Sequence, residues 1–436
     1  MMQHMVSTLL LLLSLLSLSH SLPDGLRAEL THVDAGSNYT KLELLQRMVH
    51  RSKTRARFLA STNTDFSEDF IIPSLPSSND NKTYHNEFLI KLSIGTPPQP
   101  FVLTLDTGSD LIWTQCQPLV HNFSQPYPFF NPQKSSTFFY TLCSFPLCNE
   151  IDIPEPQCST QNLCMYKYNA SYGDGSYTSG FLARETFTLG STPLTNVFFG
   201  CGNDNVGVYR SNECGIAGFG RGTLSLISQL GYGQFAYCFT SFGESKSSPV
   251  LFGSTADLRR YEKGLIQSTP FFVNPIHPIF YYLYLKGITV GAMLLPIPPL
   301  TFAVKSDGSG GVIIDSGTAI TSFPEAVFDI VTSAFISQVK LPVVKGDFVD
   351  LLCFSLPSAS SQKFQPPKFI FHFEGADLEL PPENYMHQEK QMACLAMSGD
   401  SGPRTVIGNF QQQNFHVLYD LVGEQLSFVP AQCDQL

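Results

Sequence analysis

Two stretches, one in each half of the chain, carry the same design: Leu103-Thr104-Leu105-Asp106-Thr107-Gly108-Ser109 and Ile313-Ile314-Asp315-Ser316-Gly317-Thr318. Each is an apolar run that ends in Asp, followed by a hydroxyl residue, Gly and a second hydroxyl residue. An apolar strand that stops at a carboxylate and turns at once on Gly delivers that carboxylate to the end of a sheet, with hydroxyls placed to hydrogen-bond it. Two copies call for two lobes that meet at one acidic pair.

Asp-Ser-Gly is also ordinary turn chemistry. A third copy, Gly399-Asp400-Ser401-Gly402, has no apolar run before it and is followed by Pro403, so it reads as a surface turn. None of the ten His is followed by Cys, and a Ser/His/Asp triad has no support beyond that turn.

With 436 residues the chain is long enough for a leader, a detachable segment and two domains. Its 32 Gly, 30 Pro and 36 Phe, with 14% charged residues, point to short strands joined by turns in a well-packed, soluble protein. Val6 to Ser19 is Leu-rich and reads as the apolar core of a secretory signal peptide, although no Lys or Arg precedes it. No later stretch is apolar for long enough to span a bilayer, so no membrane anchor is expected. Eleven Cys behind a signal peptide imply disulfides, with at least one Cys left over. Without a Cys-x-x-Cys pair no zinc site is expected, nor any other metal or cofactor. Asn38, Asn81, Asn122 and Asn169 are candidate glycosylation sites on the secretory route.

Residues 41–57 hold Lys41, Arg47, Arg51, Lys53, Arg55 and Arg57 against one acid, Glu43, in a chain whose formal net charge is -10. Leu42, Leu45, Met48 and Val49 fall at helical spacing, so a basic amphipathic helix is expected here. A basic arm ahead of an acidic body is read as an inhibitory segment docking on its own cleft rather than a nucleic-acid or membrane contact. The Ser, Asn, Asp and Pro-rich residues 61–86 read as the linker where it is cut. Alternating Phe88, Ile90, Leu92 and Ile94, then Phe101, Leu103 and Leu105, describe a hairpin aimed at Asp106. Tyr172-Gly173-Asp174-Gly175-Ser176 reads as a hairpin tip suited to a mobile flap. Gly215-Ile216-Ala217-Gly218 and Val406-Ile407-Gly408 place Gly in apolar runs, as where backbones approach closely. A short helix is expected over Thr223 to Leu230, stopped by Gly231, and a second opening at Ser322-Phe323-Pro324-Glu325 with capping-box chemistry.

These motifs, in this order over residues 84–436, resemble the pepsin-like aspartic proteases, and most closely the nepenthesin-type plant branch. The matching stretches are Leu105 to Trp113, Tyr172 to Ser176, Gly215 to Gly218 with Gly220-Arg221-Gly222, Ile314 to Thr318, and Ile407 to Asn409 with Gln411 to Asn414. Leu26 to Asp34 is similar to that branch's propeptide. The resemblance implies a mostly β, bilobal fold with an active-site cleft between two β lobes. It implies a signal peptide at 1–22, a propeptide and activation linker at 23–83, and lobes at 84–268 and 269–436. Asp106 and Asp315 carry over as the catalytic pair, Tyr172 as the flap tyrosine and Trp113 as the residue that holds it. Thr107 and Ser316 match hydroxyls that lock the two loops together, and Ser109 and Thr318 match those on the outer carboxylate oxygens, with Gly108 and Gly317 between them. By resemblance the expected disulfides are Cys143–Cys164, Cys148–Cys158, Cys238–Cys433 and Cys353–Cys394. Cys116, Cys201 and Cys214 are left, of which two can pair. The chain lacks the family's further Cys at about Leu119 and Asn122, and Ala319 stands where a hydroxyl residue is common.

Two carboxylates held close together cannot easily both ionise and keep one proton between them at acid pH. The ionised member takes a proton from water while the other donates to the scissile carbonyl, and no metal or cofactor is required. The expected protein is a secreted aspartic endopeptidase made as a zymogen, monomeric, extracellular or vacuolar, acting on protein or peptide substrates and inhibited by its own propeptide. The alternative is a catalytically silent binding or inhibitor protein on the same fold.

Overall fold

Parallel pairing of short apolar strands decides where each carboxylate ends. The computed structural model describes residues 22–60, 87–151, 157–168, 177–206, 212–244, 246–261, 264–344, 351–357 and 364–436. In the first half, Gln99–Asp106 runs beside Gly215–Gly218, with Asp106 opposite Gly218; in the second, Val312–Ile314 runs beside Thr405–Ile407. Residues Leu103 to Asp106 and Val312 to Asp315 are all buried, Thr104 included, as in strands covered on both faces. The Gly in each apolar run has a steric reason. A Cβ on Gly218 would lie 2.2 Å from the Asp110 carbonyl oxygen, and one on Gly408 2.5 Å from the Ile320 carbonyl carbon.

Among the described residues, twenty strands join one sheet running through both halves, and sheets of four and three strands complete the second half. The halves are stitched by antiparallel strands: Gln234–Cys238 on Phe415–Asp420, that strand on Gln425–Pro430, and the last on Gln267–Phe272. The result is a mostly β molecule of two lobes. Its core is aromatic: Phe235 stacks on Tyr419 at 4.5 Å, and Phe335, Phe369 and Phe371 pack within 6.3 Å of a neighbouring ring.

The helix Leu226–Leu230 starts on the Ser225 side chain, which accepts from the Ser228 amide, and ends at Gly231 with φ 68°. The other expected capping box does not form. Ser322 lies in the strand Thr321–Pro324, its backbone paired with Ser398 and Val406, so it is held in the sheet and Glu325–Gln338 starts from Pro324 without a side-chain cap. That helix buries Val327, Val331, Ala334 and Phe335 at helical spacing.

The N-terminal segment is built into the body. The strand Gly25–His32 pairs antiparallel with Ser248–Gly253 on one side and Phe88–Ile90 on the other. Leu26, Ala28 and Leu30 point into the core, each Leu worth about 1.5–3 kcal/mol of burial. The helix Lys41–Ala60 follows. Its start is a capping box that the sequence reading passed over: the Glu43 amide donates to Thr40 Oγ1 (3.2 Å) and the Thr40 amide to Glu43 Oε2 (2.8 Å). Leu45, Met48, Val49, Ser52, Arg55, Ala56 and Leu59 form one buried stripe. Leu45, Met48 and Val49 pack against Ala319, Ile320, Ala396 and Phe410 of the second half.

The disulfides correct two expectations. Cys143 joins Cys158 and Cys148 joins Cys164, instead of Cys143 with Cys164 and Cys148 with Cys158. Cys158 and Cys164 face each other across a hairpin, so both registers lie close; burial sorts them. Cys148 and Cys164 are enclosed with Trp113 and Tyr166, whereas Cys158 is exposed and Cys143 only half-buried. Cys116 and Cys201, which had no assigned partner, join each other, because the strand Trp113–Gln115 runs parallel to Gly200–Gly202 and brings their Cα atoms to 5.2 Å. Cys238 joins Cys433 and Cys353 joins Cys394. Cys214 is a free, buried thiol whose pKa burial pushes up to about 11. Asn38 and Asn122 are exposed, while Asn81 and Asn169 lie outside the described residues.

Candidate active site

The two Asp-hydroxyl-Gly turns meet face to face. The Thr107 amide donates to Ser316 Oγ (3.0 Å) and the Ser316 amide to Thr107 Oγ1 (2.8 Å), a reciprocal clasp that ties one lobe's turn to the other's. Each carboxylate is then held in the same way by its own turn. The Gly108 amide donates to Asp106 Oδ1 (3.0 Å) and Ser109 Oγ to Oδ2 (2.5 Å); the Gly317 amide donates to Asp315 Oδ1 (2.9 Å) and Thr318 Oγ1 to Oδ2 (2.7 Å). Gly at the third position is a requirement of packing, because a Cβ on Gly108 would stand 2.9 Å from Asp315 Oδ1 and one on Gly317 2.6 Å from Asp106 Oδ1. Asn409 braces the second turn, its amide donating to the Ser316 and Thr318 carbonyls at 3.0 and 2.9 Å. Thr107→Val will leave the Ser316 amide unmet in a buried setting and is expected to cost about 1–3 kcal/mol, read as a lowered thermal midpoint.

Between the carboxylates sits one guanidinium. Arg55 Nη2 lies 2.6 Å from Asp106 Oδ1 and Nε 3.1 Å from Asp315 Oδ2, and all three side chains are at most 1% exposed. Burial is the largest influence on Asp106 and raises its pKa; Arg55 opposes this and Asp315 adds to it, with a net rise. For Arg55, burial alone would lower the pKa, but attraction to both carboxylates outweighs it and the value rises. One helical turn earlier, Arg51 is buried in a second cluster. It pairs with Glu87 through two contacts and with Asp34 at 3.0 Å, and His32 Nε2 lies 3.2 Å from Glu87 Oε2. Burial again disfavours the Arg51 charge, and the Glu87 and Asp34 charges reverse the effect.

The structure thus brings together Asp106, Thr107, Gly108, Ser109, Asp315, Ser316, Gly317 and Thr318. Trp113 is buried 6.2 Å from the Phe123 ring, on the strand paired with Gly215 and Ile216; Tyr172 lies outside the described residues. The sequence reading treated the six basic residues as a group and did not single out Arg55. Spacing held a signal, since Arg55 and Leu59 continue the stripe of Leu45, Met48 and Ser52. Asn409 was seen as part of a motif but given no role. Among the described residues, no three His, Cys, Asp or Glu could hold a metal ion, and no helix is long and apolar enough to cross a membrane.

Residues 88–254 match the family model described as Xylanase inhibitor N-terminal, and residues 280–430 the one described as Xylanase inhibitor C-terminal. The aspartic proteinase nepenthesin-1 of Nepenthes gracilis is 44% identical over 417 residues, covering 94% of this chain and 90% of that protein. Nepenthesin-2 of the same plant is 42% identical over 415 residues, with the same coverage. Among solved structures, edgp superposes with a TM-score of 0.65 at 19% identity, over 82% of this chain and 94% of that one. The soybean Basic 7S globulin gives 0.62 at 18%, over 79% and 93%. The structural likenesses speak for the two-lobed fold alone. The paired turns, their order and the identity to the nepenthesins along almost the whole chain make it a member of the nepenthesin-type pepsin-like aspartic proteases.

Proposed function

We propose that the protein is the zymogen of a secreted aspartic endopeptidase, in which residues 1–22 are the signal peptide, 23–83 the propeptide and activation linker, and 84–268 and 269–436 the lobes. The observation that carries this reading is Arg55: a charged group from the N-terminal segment is seated on two carboxylates that keep every hydroxyl and amide partner of a working pair. Once the helix leaves, the same two oxygens face a substrate and a water. The ionised carboxylate takes a proton from that water as its oxygen bonds to the scissile carbon, and the protonated one donates to the carbonyl oxygen. A proton then passes to the amide nitrogen as the C–N bond breaks, and the dyad returns with one proton. Neither step needs a covalent adduct or a metal. The resemblance to nepenthesins supports an extracellular or vacuolar destination.

The direct test is to expose recombinant full-length protein to about pH 3–4, where carboxylates of ordinary pKa begin to protonate. Loss of residues up to the 61–86 linker, followed by pepstatin-sensitive cleavage of a denatured protein, is expected. Folded, shortened protein with no activity between about pH 2 and 7 would remove the reading. A second reading, a silent binding or inhibitor protein, is favoured by the match of both halves to the xylanase-inhibitor family models. It requires tight capture of a partner protein by the shortened form, undiminished by Asp106→Asn.

A further inference from the structure

Four residues past Arg55, on the same face of the helix, Leu59 fills a recess in the second lobe. The recess is walled by Phe280, Tyr282, Ile313 and Val406, of which Ile313 and Val406 are paired neighbours on the strands that lead to the dyad. At its edge lies Arg404, only 5% exposed. Its Nε donates to the Gly310 carbonyl (3.2 Å) and its Nη1 to the Leu59 carbonyl, and the guanidinium rests 5.1 Å from the Phe280 ring and 5.6 Å from the Tyr282 ring. Tyr282 also bonds it. All the oxygens it meets are neutral: among the described residues no carboxylate pairs with Arg404. A buried cation without a counter-charge is costly unless something supplies one.

The helix rises about 6 Å from Arg55 to Leu59, and an extended peptide covers that distance in about two residues. A substrate whose scissile carbonyl replaces the Arg55 guanidinium on the dyad therefore presents a side chain to this recess within two residues of the cut. Resting on the peptidase reading above, we propose that the recess is a substrate subsite and that Arg404 is a specificity-determining residue selecting glutamate there. The two methylenes of glutamate lie along Phe280, Tyr282, Ile313 and Val406, and its carboxylate takes the place the Leu59 carbonyl holds in the zymogen. The Leu59 side chain occupies the apolar part of that subsite until the helix departs.

The preference is tied to charge and therefore to pH. A glutamate side chain ionises around pH 4.3, so the advantage over glutamine is present above that value and fades below it. The acid-processed full-length protein is given paired peptides that differ only by Glu or Gln within two residues of the scissile bond. At about pH 5.5 the kcat/KM ratio of Glu to Gln is expected to reach about tenfold at one position and to fall towards one at about pH 3. Arg404→Gln should flatten the ratio at both pH values, and Arg404→Lys should keep most of it, which a purely structural Arg would not do. A ratio near one at pH 5.5 in protein that cleaves, or a ratio unchanged in Arg404→Gln, overturns this inference and leaves the peptidase reading standing. If the processed protein cleaves nothing, the peptidase reading falls. Fluorescence anisotropy of the same labelled peptides then decides on the subsite: Glu-selective binding lost in Arg404→Gln upholds it, and equal binding ends it.

Discussion

Full-length protein carrying Asp106→Asn will neither shorten itself in acid nor cut a denatured protein, with a loss on the order of a thousandfold or more in kcat/KM. Asn is nearly the same size; its Oδ1 still accepts from the Gly108 amide, and its Nδ2 donates to Ser109 Oγ once that hydroxyl turns, so the clasp between Thr107 and Ser316 is expected to be preserved. What disappears is the ability to hold and pass a proton. Asp315→Asn should match it, because on the proposed reading the two side chains act as one acid-base unit and removing either costs nearly as much as removing both. Circular dichroism and thermal melting identical to the unaltered protein, together with peptide cleavage at an undiminished rate, would end the assignment.

Arg55→Gln is expected to release the latent form. The guanidinium lies between the two carboxylates, and removing one partner of a buried ion pair costs about 3–5 kcal/mol. Self-shortening should then begin at a pH at least about one unit higher than in the unaltered protein, followed by gel electrophoresis across a pH series. The direction follows from protonation. Burial, with the Asp315 charge, raises the Asp106 pKa, so this carboxyl gains its proton before pH falls to the ordinary carboxylate range. A carboxyl whose pKa is raised on folding does not itself destabilise the fold as pH falls; its unfavourable ionised form is relieved. The loss falls on Arg55, left buried with less opposing charge, so acid loosens the helix and not the lobes. Arg51 provides an internal comparison. Its cluster with Asp34 and Glu87 lies away from Asp106 and Asp315, so Arg51→Gln should loosen the segment without changing the residues that touch those two carboxylates. Latency undisturbed in Arg55→Gln would mean that the helix blocks the cleft by bulk alone.

Local rules made some features readable. Apolar runs ending at Asp106 and Asp315 meant strands that deliver each carboxylate to the end of a sheet, and the structure has the strands Gln99–Asp106 and Val312–Ile314 there. Helical spacing in residues 41–57 meant a helix, and it extends to Ala60. Where the reading erred, competing contacts were long-range. Ser322 has the composition of a helix cap but belongs to a strand whose partners, Ser398 and Val406, lie far along the chain. Cys158 and Cys164 face each other across the 157–168 hairpin, and Cys164 is the one buried with Cys148 against Trp113 and Tyr166.

By itself the sequence determined two turns able to hold a carboxylate each, the strands that deliver them, and a basic helix ahead of an acidic body, because these depend on residues within a few positions of one another. Only the tertiary structure decided that Thr107 and Ser316 clasp across 209 positions, that Arg55 reaches both carboxylates, and that Arg404 closes over Leu59 from 345 positions away. Those choices rest on which buried charge finds which partner once water is excluded. Chain-local patterns carry no record of that exclusion.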